Sequence, residues 1–279
     1  MSSIRTPRSR RSQLSRALGS GIALAASLLA CQGAESPNLE GRLVDLSYAF
    51  DADTIFWPTE EAFVLERGPT GAADADYYFT TNRFRTAEHG GTHIDAPIHF
   101  MPDRWTVDEI PLERLLGPAI LVDVSEQVKL DPDYQVSVED LTDWEAQHDR
   151  IPNGTIVLLR TGFGAHWPDR KRYLGTEKQG AEAVPLLHFP GLHPDAARWL
   201  ARERAIAAIG LDTPSIDYGQ SQRFESHRAL FEQSIPAFEN LANLDQLPAR
   251  GFSVIALPMK IRGGSGSPLR AVAILPPAG

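Results

Sequence analysis

The 279-residue sequence predicts a mixed α/β or α+β fold. Two observations carry this. Short runs rich in β-branched and apolar residues alternate with segments patterned for helices. No internal repeat or clear linker breaks the chain after residue 41, so a single domain over 42–279 is expected. The composition agrees: 42% hydrophobic residues supply a core, and 23% charged residues are ordinary for a folded chain.

The first segment is read as lying outside the fold. Residues 1–30 carry five arginines and no acid, and end in a largely apolar run of 14 residues, Ala17–Ala30. That suits the apolar region of a secretory signal and falls short of the roughly 20 residues a membrane span needs. Leu28-Leu29-Ala30-Cys31 resembles a bacterial lipobox, and Ser9-Arg10-Arg11-Ser12-Gln13-Leu14 partly resembles a twin-arginine signal. Residues 1–30 are therefore read as a lipoprotein signal peptide, Cys31 as the lipid attachment and 31–41 as a tether. This implies membrane contact only through the anchor, at the periplasmic face of a bacterial membrane. An ordinary cleaved signal, with Cys31 incidental and the protein periplasmic or secreted, is the other reading.

Within 42–279, Leu43–Phe50, Tyr77–Arg85, Ala119–Val124, Thr155–Arg160, Ala205–Leu211 and Phe252–Ile261 read as strands. Pro111–Leu116, Val138–His148 and Pro194–Arg204 read as helices. The last has proline in its first turn and Ala197, Leu200 and Ala201 at helical spacing. Ser137 is the expected N-cap of the second helix. Gly162–Pro190, polar and interrupted by Trp167-Pro168 and Gly175, reads as a long loop or lid.

The formal charge of −9 argues against nucleic acid as a partner. Removing the five leader arginines from the 27 basic residues leaves 22 against 36 acidic ones, a charge of −14. One cysteine excludes an intramolecular disulfide and a cysteine-rich zinc site, so any metal must be held by His, Asp and Glu.

Such residues gather in His89-Gly90-Gly91-Thr92-His93-Ile94-Asp95-Ala96-Pro97-Ile98-His99-Phe100, which holds three of the eight histidines. His89, His93, Asp95 and His99 occupy odd positions, and an extended segment puts alternate residues on one face. His93 and Asp95 would stand about 7 Å apart, close enough to share an ion, whereas His89 would be about 13 Å from His93 in a straight chain. Gly90-Gly91 offers the bend that brings it back. Pro97 is expected to keep the segment from becoming a central strand or continuing as a helix. Imidazoles with a carboxylate suit Zn²⁺ or Mn²⁺. HExxH, the mark of a helical metalloprotease site, is absent.

This stretch matches every fixed position of HxGTHxDxPxHF, and on it the chain resembles the cyclase family that includes bacterial kynurenine formamidases and isatin hydrolases. Leu43–Ser47, Trp57-Pro58, Phe189–Leu192, Gly210–Asp217 and Gly264–Arg270 are similar to further family blocks. The resemblance implies a single α/β domain of the swivelling β/β/α type, with a β-rich core, surrounding helices and assembly into dimers or tetramers. It implies His89, His93 and Asp95 as ligands of a first ion and His99 as the proton-moving catalytic residue. It further implies Asp95 as a bridge to a second ion held by His227 and Glu239, twelve residues apart. Trp57 corresponds to a substrate-contacting aromatic. Asp212 and Asp217 read equally well as turn caps, and Arg270 as a partner of a substrate carboxylate or of a structural acid.

The function this implies is metal-dependent hydrolysis of the C–N bond of a small aromatic or cyclic amide by one or two Zn²⁺ or Mn²⁺ ions. Lactam opening of the isatin hydrolase kind and aryl-formamide cleavage are the two candidates. A covalent mechanism is disfavoured, since no GxSxG appears and no thiol lies near the motif. The alternative is a lipid-anchored metal- or solute-binding protein without turnover.

Overall fold

Ile156-Val157-Leu158-Leu159 is an unbroken apolar run because the strand it builds is covered on both faces. Val157 and Leu159 pack under helices, Ile156 and Leu158 into the interior of a barrel. The computed structural model describes residues 41–71 and 77–277, so the expected signal peptide, Cys31 and all of the tether but Gly41 lie outside the described residues. In chain order the elements are β1 (Arg42–Asp45), β2 (Val64–Thr70), β3 (Thr80–Arg85), β4 (His93–Asp95), β5 (Leu116–Asp123), α1 (Ser125–Leu130), β6 (Gln135–Val136), α2 (Val138–His148) and β7 (Ile156–Arg160). They continue as α3 (Arg170–Leu174), β8 (Gly191–Leu192), α4 (Pro194–Glu203), β9 (Ala208–Leu211), α5 (Glu225–Phe231), β10 (Ala237–Glu239), β11 (Phe252–Pro258) and β12 (Gly266–Leu275). This is the mixed α/β fold the sequence predicts, with a barrel-like, strand-rich core.

The main sheet runs β1-β12-β11-β5-β7-β9-β10-β4, and β4 pairs back onto β12. The length of β12 permits this closure. Gly266–Pro268 pair with β4 and Val272–Leu275 with β1, while Leu269–Ile274 pair with β11. Strands β5, β7, β9 and β10 are parallel, and the other pairings of this sheet are antiparallel. Outside the barrel, α2 and α4 bury Leu141, Trp144, Ala197 and Leu200 against the sheet. Ser137 caps α2 through a capping box with Asp140, and Pro194 opens α4, as the sequence predicts. β2 and β3 form a separate, largely exposed two-stranded arm.

Several elements differ from expectation. Pro111–Leu116 is not a helix; a single 3₁₀ turn, Leu112–Arg114, leads straight into β5. So short a segment does not sustain a helix unaided, and Pro118 favours extended backbone before it. The first strand ends at Asp45 because Ser47 N bonds to Asp45 Oδ1 and Tyr48 N to Thr92 Oγ1, diverting the chain from the ladder. The strand expected from Ala205 begins at Ala208, after Ala205 takes a left-handed φ of 42°. Gly162–Pro190 is neither loop nor lid. It contains α3 and two 3₁₀ turns, and fully buries Tyr173, Leu174, Leu187 and Phe189 in the helical-side core. Pro97 ends β4 rather than preventing it: His93–Asp95 is hydrogen-bonded on both sides, by β10 and β12.

Candidate metal centre and active-site cavity

β4 lies between β10 and β12, with His93 opposite Glu239 and Asp95 opposite Ala237. Ile94 and Phe238 point into the barrel core. Alternation therefore turns His93, Asp95 and Glu239 outward, towards α5 and its His227. The Gly90-Gly91 bend is present. Gly91 has φ +56°, and a Cβ there would lie 2.5 Å from the Phe50 ring, so this position requires glycine. The bend returns His89 to the cluster, its Nδ1 2.6 Å from Asp95 Oδ1. The 3₁₀ turn after Pro97 swings His99 over His89, ring centroids 3.8 Å apart.

Asp95 is the hub. Its Oδ1 also lies 3.1 Å from His93 Nε2, and its Oδ2 lies 3.2 Å from His227 Nε2. Glu239 closes the far side, 3.4 Å from His93 Nε2 and 3.2 Å from His227 Nε2. Burial by itself would raise the Asp95 carboxyl, but the His89 charge and hydrogen bonds from three histidines hold it well below the usual range. Burial, and then the Asp95 charge, push Glu239 up. His227 is raised well above an ordinary histidine despite its burial, first through Asp217. Two buried carboxylates facing imidazole nitrogens are a donor set that a divalent cation fits. Donor atoms of His89, Asp95 and His99 lie within 4.8 Å of one another, as do those of His93, Asp95 and Glu239. The structure thus brings together all six residues expected from the sequence, with Asp95 common to both groups and His99 within reach of the first.

The cluster lines a cavity of about 310 Å³ walled by Phe56, Trp57, Phe100, Pro214 and Phe224, with the exposed Thr59 and Glu60 also lining it. Trp57 lines the cavity, edge-on to Phe189 and Phe224. Arg270 does not reach the cavity; it pairs with Asp45 at 2.8 Å on the surface. Asp212 caps the turn after β7 through Thr161 and Gly162. Asp217 does more than cap a turn, because Nδ1 of His227 sits 2.6 Å from its carboxylate. Sequence reasoning also missed Asn240, which donates to Gly91 O and accepts from the Tyr173 hydroxyl, pinning the glycine bend. Its position beside Glu239 was the available signal. Among the described residues, no helix is long and apolar enough to cross a membrane.

Residues 44–218 match the family described as "Putative cyclase". The chain belongs to the cyclase family. As a member it is a metal-dependent hydrolase. It is 34% identical to the isatin hydrolase of Roseibium aggregatum over 210 residues, covering 72% of this chain and 77% of that protein. It is 28% identical to the kynurenine formamidase of Bacillus cereus over 229 residues, covering 82% and 95%. Its fold matches a solved structure of isatin hydrolase A from Labrenzia aggregata bound to benzyl benzoate (TM-score 0.75, 34% identity, 84% of this chain and 93% of that one). A second match is an isatin hydrolase bound to the product analogue thioisatinate (TM-score 0.76, 30% identity, 85% and 93%). These relatives give no support to a non-catalytic binding protein.

Proposed function

We propose that this hydrolase cleaves the C–N bond of a small, neutral aromatic amide, with a cyclic lactam of the isatin kind as the first candidate and an open-chain aryl formamide as the second. The cavity carries this reading. Its aromatic walls end on the His–Asp–Glu cluster, and no Lys or Arg is among the described residues lining it. Such walls suit a flat neutral ring, and no Lys or Arg among the described residues stands there to pair with a substrate carboxylate. The likeness to isatin hydrolases supports the lactam; the kynurenine formamidase likeness keeps the formamide in the panel.

Asp95, His89, His93, His227 and Glu239 would hold one or two ions, Zn²⁺ or Mn²⁺, in the cluster they form. A divalent ion there supplies Lewis acidity at the amide carbonyl and lowers the pKa of water towards about 7. His99 moves the proton. Burial pushes its imidazole down to about 4, so at neutral pH it is an unprotonated base. It takes a proton from the attacking water and passes it to the departing nitrogen. Trp57 packs against the substrate ring and Asp217 keeps His227 oriented.

The test is hydrolysis of isatin, N-formylkynurenine, simple aryl formamides and lactones by the mature protein supplied with Zn²⁺ or Mn²⁺. Ring opening of isatin in preference to the formamides is expected. Bound metal with no turnover across the panel would sink the reading. Cys31 is proposed as a lipid anchor at the periplasmic face, supported by the lipobox-like sequence. Palmitate labelling that survives Cys31→Ala would disprove it. A homo-oligomer, dimer or tetramer, is proposed from the family resemblance, and light scattering on the purified protein decides it.

A further inference from the structure

Gly264-Ser265-Gly266, one of the blocks noted in the sequence, takes no part in the chemistry above yet touches the site. Ser265 Oγ lies 2.9 Å from His89 Nε2 and 2.7 Å from Glu88 Oε2, and the same carboxylate oxygen accepts from Ser265 N at 2.9 Å. The other ring nitrogen of His89, Nδ1, is the one that faces Asp95. A carboxylate only accepts, so the Ser265 hydroxyl donates to Glu88 and its oxygen is free to accept from His89 Nε2–H. The chain passes close to this contact on both sides. A Cβ at Gly264 would stand 2.8 Å from Glu88 Oε1, and one at Gly266 would stand 2.5 Å from His89 Cε1 and would also meet the Ile94 carbonyl oxygen at 2.7 Å. The backbone is pinned to the end of β4, with Ala96 N donating to Ser265 O at 2.8 Å.

We propose that Glu88 and Ser265 are positioning residues, forming a Glu–Ser–His relay that turns His89 Nε2–H away from the cluster and presents Nδ1 to it as the ligand nitrogen. The inference rests on the metal reading given under Proposed function. The other two cluster histidines have matching anchors: Nδ1 of His227 on Asp217 and Nδ1 of His93 on Gly91 O. None of the described side-chain hydrogen bonds involves His99. Locked rings hold; the unlocked ring moves protons. Partners of this kind orient a ligand and raise its basicity, and losing one typically costs 10–100-fold in metal affinity.

The test uses the full-length protein as wild type, Ser265→Ala, Glu88→Gln and the double variant. Dissociation constants for Zn²⁺ and, separately, Mn²⁺ are measured by chelator competition. Ser265→Ala should weaken binding on the order of 10–100-fold. Glu88→Gln should weaken it less, because the amide oxygen still accepts the hydroxyl but carries no charge. The double variant should be no weaker than Ser265→Ala alone. In the zinc-loaded wild type, His89 Nε2–H should give a slowly exchanging downfield proton resonance that Ser265→Ala loses. If Ser265→Ala fails to fold, Glu88→Gln, which leaves the Gly-Ser-Gly segment intact, decides by the same two measurements. Affinities within about twofold of wild type, additive effects, or an unchanged resonance would overturn the relay alone. A wild type that binds neither ion would overturn the metal reading with it.

Discussion

Asp217 grips His227 twice, accepting from its backbone N at 3.1 Å and lying 2.6 Å from its ring Nδ1. The grip aims Nε2 at Asp95 and Glu239, 3.2 Å from each. Asp217→Ala should therefore lower metal affinity on the order of 10–100-fold, and Asp217→Asn, which can still accept the ring proton, should lower it less. Chelator competition measures both, and unchanged affinity in Asp217→Ala would remove His227 from the metal site.

His99→Ala should reduce kcat by about 100- to 10,000-fold while elemental analysis finds the metal content unchanged. Because burial places His99 at about 4, the wild-type base is available at neutral pH and is lost as pH falls through that value. Metal lost together with activity would instead make His99 a ligand, a role its proximity to His89 and Asp95 permits.

Trp57→Ala should raise KM by about tenfold with kcat little changed, since the ring contributes packing and no chemistry. Steady-state kinetics on the preferred amide separates the two parameters. An equal fall in kcat and kcat/KM would place Trp57 in the reacting geometry.

Gly91→Ala should cost about 1–3 kcal/mol, because φ is +56° and the added Cβ meets the Phe50 ring. Urea unfolding reads the loss. Because Gly91 O also lies 2.9 Å from His93 Nδ1, metal affinity should fall in parallel.

Arg204 holds Glu145 through two short bonds, Nε to Oε1 at 2.6 Å and Nη2 to Oε2 at 2.7 Å, tying α2 to the end of α4. The hydrogen bond from Arg204 is the main reason the Glu145 carboxyl sits below its ordinary value. A carboxyl lowered in the folded state contributes fully above its unfolded pKa and loses that contribution as pH falls through the folded one. Glu145→Gln should thus destabilise by about 1 kcal/mol at pH 7, with the gap to wild type closing below about pH 4. A gap independent of pH in urea titrations would show that the charge contributes nothing.

Local rules in the chain suffice for part of this protein. Alternation puts His93 and Asp95 on one face, the glycine pair returns His89, Ser137 caps α2, and the apolar stripe of α4 reads directly from its spacing. Each depends on residues a few positions apart. His227 and Glu239 were identifiable only by family resemblance, because nothing local marks a histidine on a seven-residue helix or a glutamate on a three-residue strand. Their meeting with Asp95 requires the barrel to close through β12, and a strand as short as β4 or β10 carries no periodicity from which its partner could be read. Burial likewise made Gly162–Pro190 a packed wall and Asp217 a support for His227, since a polar segment or a lone acid takes its role from the partners that folding brings to it.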